Sequence, residues 1–393
     1  MTETPEIPED TTVAIVGAGV AGLTLANLLL RNGVSCVVVE KHRRAYVERR
    51  QRAGTVDTRG VRLFRAWGLG EVVEGNPVTE GAGGFFIDGE ELPLDTGEDD
   101  ESLFCPQQVL VRNLTDVFLR EGGDLRHEAA DVALEHLQGP RSLVRYRDST
   151  GTARAIACDY VAGCDGSHGV SRASIPESAL TRYSHTYGYS WLSVLAEVPA
   201  SHPSGMAIHH RGLAGLIPRG ANASRIYLQC PPGDTPEQWP AERVWSELEA
   251  RFGTPVPTGP IAEARIVPLR SVVYSPMDHG TLYLLGDAAH IVPPMSAKGI
   301  NLALNDAEVF ARAVIRRVQQ GDGSLLDSYS ETCLKHVWNY QAFASWITDL
   351  MHDAGDPSYE GEFRKQIARA ELQRQFTSPA ANRLFNELIS GVN

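Results

Sequence analysis

Three apolar runs along the chain stop abruptly at a glycine or an acid. The first lies in residues 12–40. There "TVAIVG" reads as a buried strand and "GAGVAG" as a turn. "LTLANLLLRNG" reads as an apolar helix closed by Asn32-Gly33, and "VSCVVVE" as a second buried strand ending in Glu40. Strand, helix and strand in this order predict a βαβ unit, hence a parallel sheet and a right-handed crossover. The second is "CDYVAGCDGSHGVSR", 158–172, where a strand ends at Asp165-Gly166 and a helix-start pattern follows. The third is "LYLLGDAAHIVPPMSAKGINLALNDA", 282–307. Here Leu282–Leu285 ends at Gly286-Asp287, two prolines keep the chain extended, and Gly299 opens a long run with helical spacing.

Between these landmarks the pattern alternates. Residues 55–75, 107–121 and 241–252 read as helices, and the chain after 299 is mostly helical. "SLVRYRD" and "ARAIACDYVAGCDG" alternate as strands do, and residues 181–235 carry strand-like runs broken by glycine and proline. The expected fold is α/β: a Rossmann-like nucleotide-binding domain, an inserted antiparallel-sheet substrate domain and a helical C-terminal region. The nucleotide domain is drawn from 1–80, 107–180 and 269–335. The sheet is drawn from 81–106 and 181–268, and the helical region is 336–393.

Composition narrows the partners. The 393 residues carry a net charge of −13, which argues against nucleic acid or an anionic membrane surface. No run reaches the roughly 18 apolar residues a membrane span needs. The opening "MTETPEIPEDTT" is acidic, the reverse of a signal peptide. Six cysteines without a CxxC pair suggest neither a zinc site nor a disulfide framework, so reduced thiols in a cytoplasmic protein are expected, with no metal.

The first turn carries specific chemistry. Gly17, Gly19 and Gly22 fit GxGxxG, which lets the chain turn tightly, approach a pyrophosphate and pack helix on strand. The helix N-terminus then holds the phosphates. Glu40 at the second strand end can accept from a ribose diol. FAD and NAD both satisfy this turn. The other two motifs separate them. An Asp at a strand end, such as Asp287, can hold a ribityl hydroxyl. The free amides of a helix starting near Gly299 can stabilise the negative charge of a reduced flavin. His290 reads as a satisfied structural histidine.

The three motifs, with "RAG" at 52–54, "SIP", "PLRS" at 268–271, "GDAAHIVPP" and "AKGINLA", resemble the class A flavoprotein aromatic hydroxylases, and most closely their 4-hydroxybenzoate-hydroxylating branch. The likeness runs over almost the whole chain. It implies an FAD site of Gly17, Gly19, Gly22, Glu40, Arg52, Gln107, Asp165, Asp287, Gly299, Ile300 and Asn301. It implies NADPH or NADH recognition by Lys41, His42, Tyr46, Arg50, His168 and Arg270. The family's reaction reduces FAD with the nicotinamide nucleotide, adds O₂ at flavin C4a as a hydroperoxide, and passes its distal oxygen to an electron-rich aromatic ring. The resemblance also implies a homodimer through the C-terminal region. No WxWxIP motif is present, which disfavours the halogenase alternative.

The residues this likeness places at the reacting centre are Pro294, Arg219 and Tyr227, with Arg219 and Tyr227 holding a substrate carboxylate. Met206, Ile217, Arg225 and Met295 complete the substrate set. Here the chain departs from the family. A serine that assists the carboxylate aligns with Ile217, and a threonine after the double proline aligns with Met295. The two tyrosines that relay the 4-hydroxyl proton align with Met206 and Ile389, and the histidine at the relay's end with Thr79. Methionine and isoleucine carry no protons. A phenol titrates near pH ~10, so the expected substrate is a ring activated without proton removal. An amino- or aminohydroxybenzoate fits this better than plain 4-hydroxybenzoate, which remains the alternative.

Overall fold

The computed structural model describes residues 8–49, 54–74, 83–92, 100–199, 203–219, 222–353 and 359–391. Its first sheet has a parallel core in the order Leu282–Leu284, Ala153–Gly163, Glu9–Val16, Cys36–Glu40, Asp124–His127. Antiparallel strands Ser142–Arg147, Ala130–Glu135 and Asp278–His279 extend it. Cys36–Glu40 is buried at every residue, as a parallel strand covered on both faces should be. The apolar helix Val20–Arg31 packs against helices Gln107–Arg120 and Gly299–Gln320. Asn32 closes it, and Gly33 follows in the left-handed region at φ +70°.

The second sheet runs His290–Ile291, Ile261–Ser275, Thr181–Ala196, Ser224–Cys230, Ala214–Pro218, Gly205–Ile208, Gly84–Ile87, Glu90–Leu92. Its pairs are antiparallel except Gly205–Ile208 with Gly84–Ile87. Alternation along each strand sorts the side chains onto two faces. Leu192, Val194, Leu216, Ile226 and Leu228 form one core with helix Ala241–Phe252. Trp191, Ile208 and Leu213 form another with Phe343, Ile347, Leu350 and Met351 of helix Tyr329–Asp353. The long strands Thr181–Ala196 and Ile261–Ser275 pair from Thr181–Ser275 to Ala196–Ile261, with the register interrupted between Thr186 and Ser190 and again at Leu195–Ala196.

One expected element differs. Residues 55–75 do not form one helix. Thr55–Val56 is extended and pairs with Leu103–Phe104, and the helix starts only at Thr58. Asp57 sets that start, because its side chain accepts from the Gly60 amide as an N-cap. A second short helix, Glu71–Glu74, follows. Helices Tyr359–Thr377 and Pro379–Ser390 end the described chain. All six cysteines are free and buried. Among the described residues no helix is long and apolar enough to cross a membrane.

Candidate active site

The three motifs meet at the carboxyl edge of the parallel sheet, where open α/β sheets bind their ligands. The Gly17 amide donates to Val39 O and the Cys164 amide to Val16 O, so the first and second motifs lie side by side. Gly17 sits at φ +108°, and a Cβ there would lie 2.4 Å from Cys164 O; only glycine is tolerated. A Cβ on Gly22 would lie 2.0 Å from Gly17 O. At Gly19, by contrast, a Cβ would meet nothing within 4 Å. That open approach leads to the first turn of helix Val20–Arg31, which no side chain caps. The turn therefore fits a pyrophosphate. Glu40 is buried, and its two oxygens accept from the Ala18 and His42 amides at 2.9 Å each. The carboxylate thus braces the turn, and each oxygen keeps a lone pair for a ribose.

Asp165 and Asp287 follow the neighbouring strands Ala153–Gly163 and Leu282–Leu284. Asp165 Oδ2 accepts from the Ser171 amide and hydroxyl at 2.8 and 3.0 Å. Its Oδ1 is buried without a partner among the described residues, an orphan acceptor suited to a ligand hydroxyl. Burial pushes this carboxyl above the usual range. Arg172 ties the second motif to the third, donating to Ser167 O and, at 2.9 Å, to Ala288 O. The Gly286 amide donates to Asp306 Oδ2 at 2.9 Å, and the buried His290 Nε2 pairs with the same oxygen at 2.7 Å. Burial opposes charge on His290, but Asp306 outweighs it and raises the imidazole above the usual range. His290 is therefore a brace for the loop carrying Asp287.

Helix Gly299–Gln320 begins without a side-chain cap, so the amides of Gly299, Ile300 and Asn301 remain for a ligand. Asn301 fixes this start: its Oδ1 accepts from the Asp57 amide at 3.1 Å, and its Nδ2 donates to Thr55 O and Ala297 O. Just before it, Lys298 is fully buried. Its ammonium donates to Asp57 Oδ2 at 2.9 Å and to Ile389 O at 2.5 Å, under the ring of Tyr340. Burial lowers its pKa against the pull of Asp57. These residues fit FAD: Gly17, Gly19, Gly22 and Glu40 for its nucleotide half, Asp165, Asp287 and Gln107 along its chain, Gly299–Asn301 at its ring. Bound FAD would supply the redox and oxygen-activating chemistry that protein side chains lack. Gln107 opens a helix that likewise has no side-chain cap.

The residues expected at the substrate lie mostly on the second sheet. Met206 lies opposite Gly215, and Gly215 opposite Tyr227. Ile217 lies opposite Arg225 in the next row. Met206, Tyr227, Met295 and Ile389 all pack against one apolar cluster, so segments far apart in sequence form a single wall. Tyr227 rests against Trp191, ring centroids 4.8 Å apart. Arg225 is 2% exposed, donates weakly to Ser193 Oγ, and leaves Nη2 buried without a partner among the described residues; burial lowers its pKa. Arg219 is half-buried, with Nη1 on Pro218 O at 3.3 Å and its Nε buried without a partner among the described residues. Pro294 is exposed at the start of the short 3₁₀ turn Pro294–Ser296.

The nicotinamide set is on the surface. Lys41, Tyr46 and His168 are exposed, and the rings of His42 and Tyr46 lie 4.2 Å apart. Arg270 is half-buried opposite Thr186. Arg50, Arg52 and Thr79 lie outside the described residues. Sequence reasoning passed over Asp57, Arg172, Lys298 and Asp306. A weak signal existed for Asp57, an aspartate directly before the helix start at Thr58. Lys298 and Asp306 carried none, since a charge in an apolar helix pattern reads as solvated until its partner is known.

This arrangement defines a flavin-dependent aromatic hydroxylase. The chain matches the family described as FAD binding domain over residues 10–344, and it belongs to that family. It is 36% identical to the p-hydroxybenzoate hydroxylase of Acinetobacter baylyi, over 97% of this chain and 95% of that one. It is 27% identical to a probable NADH-specific resorcinol 4-hydroxylase of Rhodococcus jostii, over 83% of this chain and 62% of that one. Its fold is similar to that of p-nitrophenol 4-monooxygenase from Pseudomonas putida, with a TM-score of 0.81 at 18% identity, covering 97% and 99% of the two chains. The cofactor is FAD, with NAD(P)H and O₂ as the family's usual co-substrates.

Proposed function

We propose that the substrate is a substituted benzoate, held by Arg219 and Tyr227 and activated by a ring amino group rather than by a relayed phenolate. The observations that carry this reading are the buried Arg219 Nε, which has no acceptor among the described residues, and, on the same sheet, a Met206 that packs with Met295 and Ile389 on one apolar cluster. An arginine edge gives a carboxylate two parallel charge-assisted bonds. The wall offers nothing to accept the proton of a para hydroxyl. An aminobenzoate or aminohydroxybenzoate needs no such proton removal before its ring attacks electrophilic oxygen. Arg225, Ile217 and Pro294 would border the ring. Lys41, His42, Tyr46, Arg50, His168 and Arg270 would receive NADPH or NADH. A second reading is 4-hydroxybenzoate itself, favoured by the 36% identical relative that bears that activity in its name.

A substrate panel separates the two. NAD(P)H oxidation and product mass are measured together for 4-amino-, 4-amino-hydroxy- and 4-hydroxybenzoate. The amino analogues are expected to gain one oxygen atom with tight coupling, and 4-hydroxybenzoate to stimulate oxidation mostly without product. Efficient hydroxylation of 4-hydroxybenzoate, equal to the best amino analogue, would end the first reading in favour of the second. The sedimentation mass of the same preparation reads the homodimer, for which exposed Phe363, Ile367 and Leu384 on the last two helices offer an apolar face.

A further inference from the structure

Arg219 is steadied by a residue from outside its own sheet. Its guanidinium carbon lies 4.9 Å from the centre of the Phe104 ring. Phe104 belongs to the strand Leu103–Phe104, which pairs with Thr55–Val56. That strand leads directly into Asp57 and, through it, to Lys298 at the start of the helix that would face the flavin ring. Arg219 instead continues the sheet strand Ala214–Pro218. The contact therefore links the second sheet to the short two-stranded ladder beside Asp57.

The geometry of a guanidinium over a ring has a chemical consequence. A cation over a ring is held by the aromatic quadrupole without using up its N–H donors. Arg219 uses Nη1 on the Pro218 carbonyl, at a long 3.3 Å. The Nε proton, buried, has no acceptor among the described residues. A long, flexible side chain ordinarily loses rotamer freedom when it captures a ligand. Against Phe104 that loss has been met before the ligand arrives.

We propose that Phe104 is the positioning residue for the substrate carboxylate, holding the Arg219 guanidinium in place so that its free N–H donor meets the acid. This rests on the reading that Arg219 anchors an arenecarboxylate. Phe104 needs no contact with the substrate. It acts through Arg219, and so it governs recognition of a charged acid and not of a neutral analogue.

The test measures binding to the oxidised holoenzyme, from the perturbation of the flavin spectrum, for 4-aminobenzoate and for 4-aminobenzamide. A cation–π contact of this kind corresponds to roughly 2- to 30-fold in affinity. Phe104→Met is expected to weaken the acid by about fivefold while leaving the amide within about twofold. Phe104→Tyr, which keeps the ring face, is expected to restore the acid. Should Phe104→Met lose its flavin, fluorinated phenylalanines at 104 give the same reading. They keep the shape and strip negative charge from the face, and Kd for the acid should climb with each fluorine. Equal loss of acid and amide, or no response to fluorination, would overturn the proposal. Arg219→Gln separates the two levels. If it leaves acid binding unchanged, the anchor reading fails. If it abolishes acid binding while Phe104 variants bind as the parent does, only the role of Phe104 fails.

Discussion

Met206 and Ile389 share an apolar cluster with Tyr227 and Met295, and the sulfur of Met206 reaches toward Gly215, where a Cβ would lie only 2.8 Å away. Gly215 thus makes room for a long side chain at 206, and a tyrosine could use the same space. Positioned acid–base groups contribute typically about 10²- to 10⁴-fold to a proton-dependent step. Introducing Met206→Tyr with Ile389→Tyr restores two phenols but no terminal histidine. The double variant is therefore expected to raise kcat on 4-hydroxybenzoate by roughly tenfold, below the full range of a complete relay. The gain should be absent on 4-aminobenzoate. Stopped turnover with both substrates checks this, and an equal change on both would assign the residues to packing alone.

At the scale of an element, helix Tyr329–Asp353 supports the second sheet through one buried histidine. His352 Nε2 accepts from Trp191 Nε1 at 2.8 Å, its other nitrogen faces Thr348 O at 2.6 Å, and Tyr189 stacks on it at 4.0 Å. Burial pushes its pKa down to about 4, against the Thr348 carbonyl. Only the neutral ring can accept from Trp191. The unfolded chain, with an ordinary histidine, binds more protons between those values. Stability from this group is thus fully present above about pH 6.5 and is lost as pH falls toward 4, a change of about 3 kcal/mol. His352→Gln, which keeps an acceptor but does not titrate, should flatten the acid side of the urea-midpoint profile with FAD in excess. An unchanged profile would remove His352 from the titration. Much of this architecture was legible in the sequence, and the reason is locality. Gly17–Gly22, Asp165-Gly166 and Gly286-Asp287 declare themselves within a few residues, because a turn chemistry and an apolar run are neighbours. Trp191 with His352, or Asp57 with Lys298, are 161 and 241 residues apart, and neither partner's surroundings mark it as half of a pair. The start of the helix at Thr58 was hidden for the same reason: Thr55–Val56 is extended only because Leu103–Phe104 pairs with it.

Across the whole molecule, the buried Lys298 ammonium is the point where three distant segments close on one another. Asp57 comes from the segment after the first βαβ unit, Lys298 from the position that opens helix Gly299–Gln320, and the Ile389 carbonyl from the last helix, Pro379–Ser390. Tyr340 joins them, its hydroxyl on Asp57 Oδ2 at 3.3 Å. The last helix also sends Phe385 and Ile389 into the cluster that holds Met206, Tyr227 and Met295. It makes no hydrogen bond to Gly17 or Asp165 among the described residues. Removing residues 379–393 should therefore leave the dinucleotide turn and both aspartate loops intact while opening the substrate wall to water. A wet pocket lets activated oxygen escape unproductively, since exclusion of side reactions is one of the things a closed site provides. The truncated chain is expected to purify with FAD, to oxidise NAD(P)H when an arenecarboxylate is added, and to release most of the reducing equivalents as hydrogen peroxide. Parallel assay of NAD(P)H, hydroxylated product and peroxide decides it. Full coupling in the truncated chain would show that the wall is closed without this helix. Loss of FAD on purification would show instead that the Lys298 contact to Ile389 is needed to hold helix Gly299–Gln320 itself.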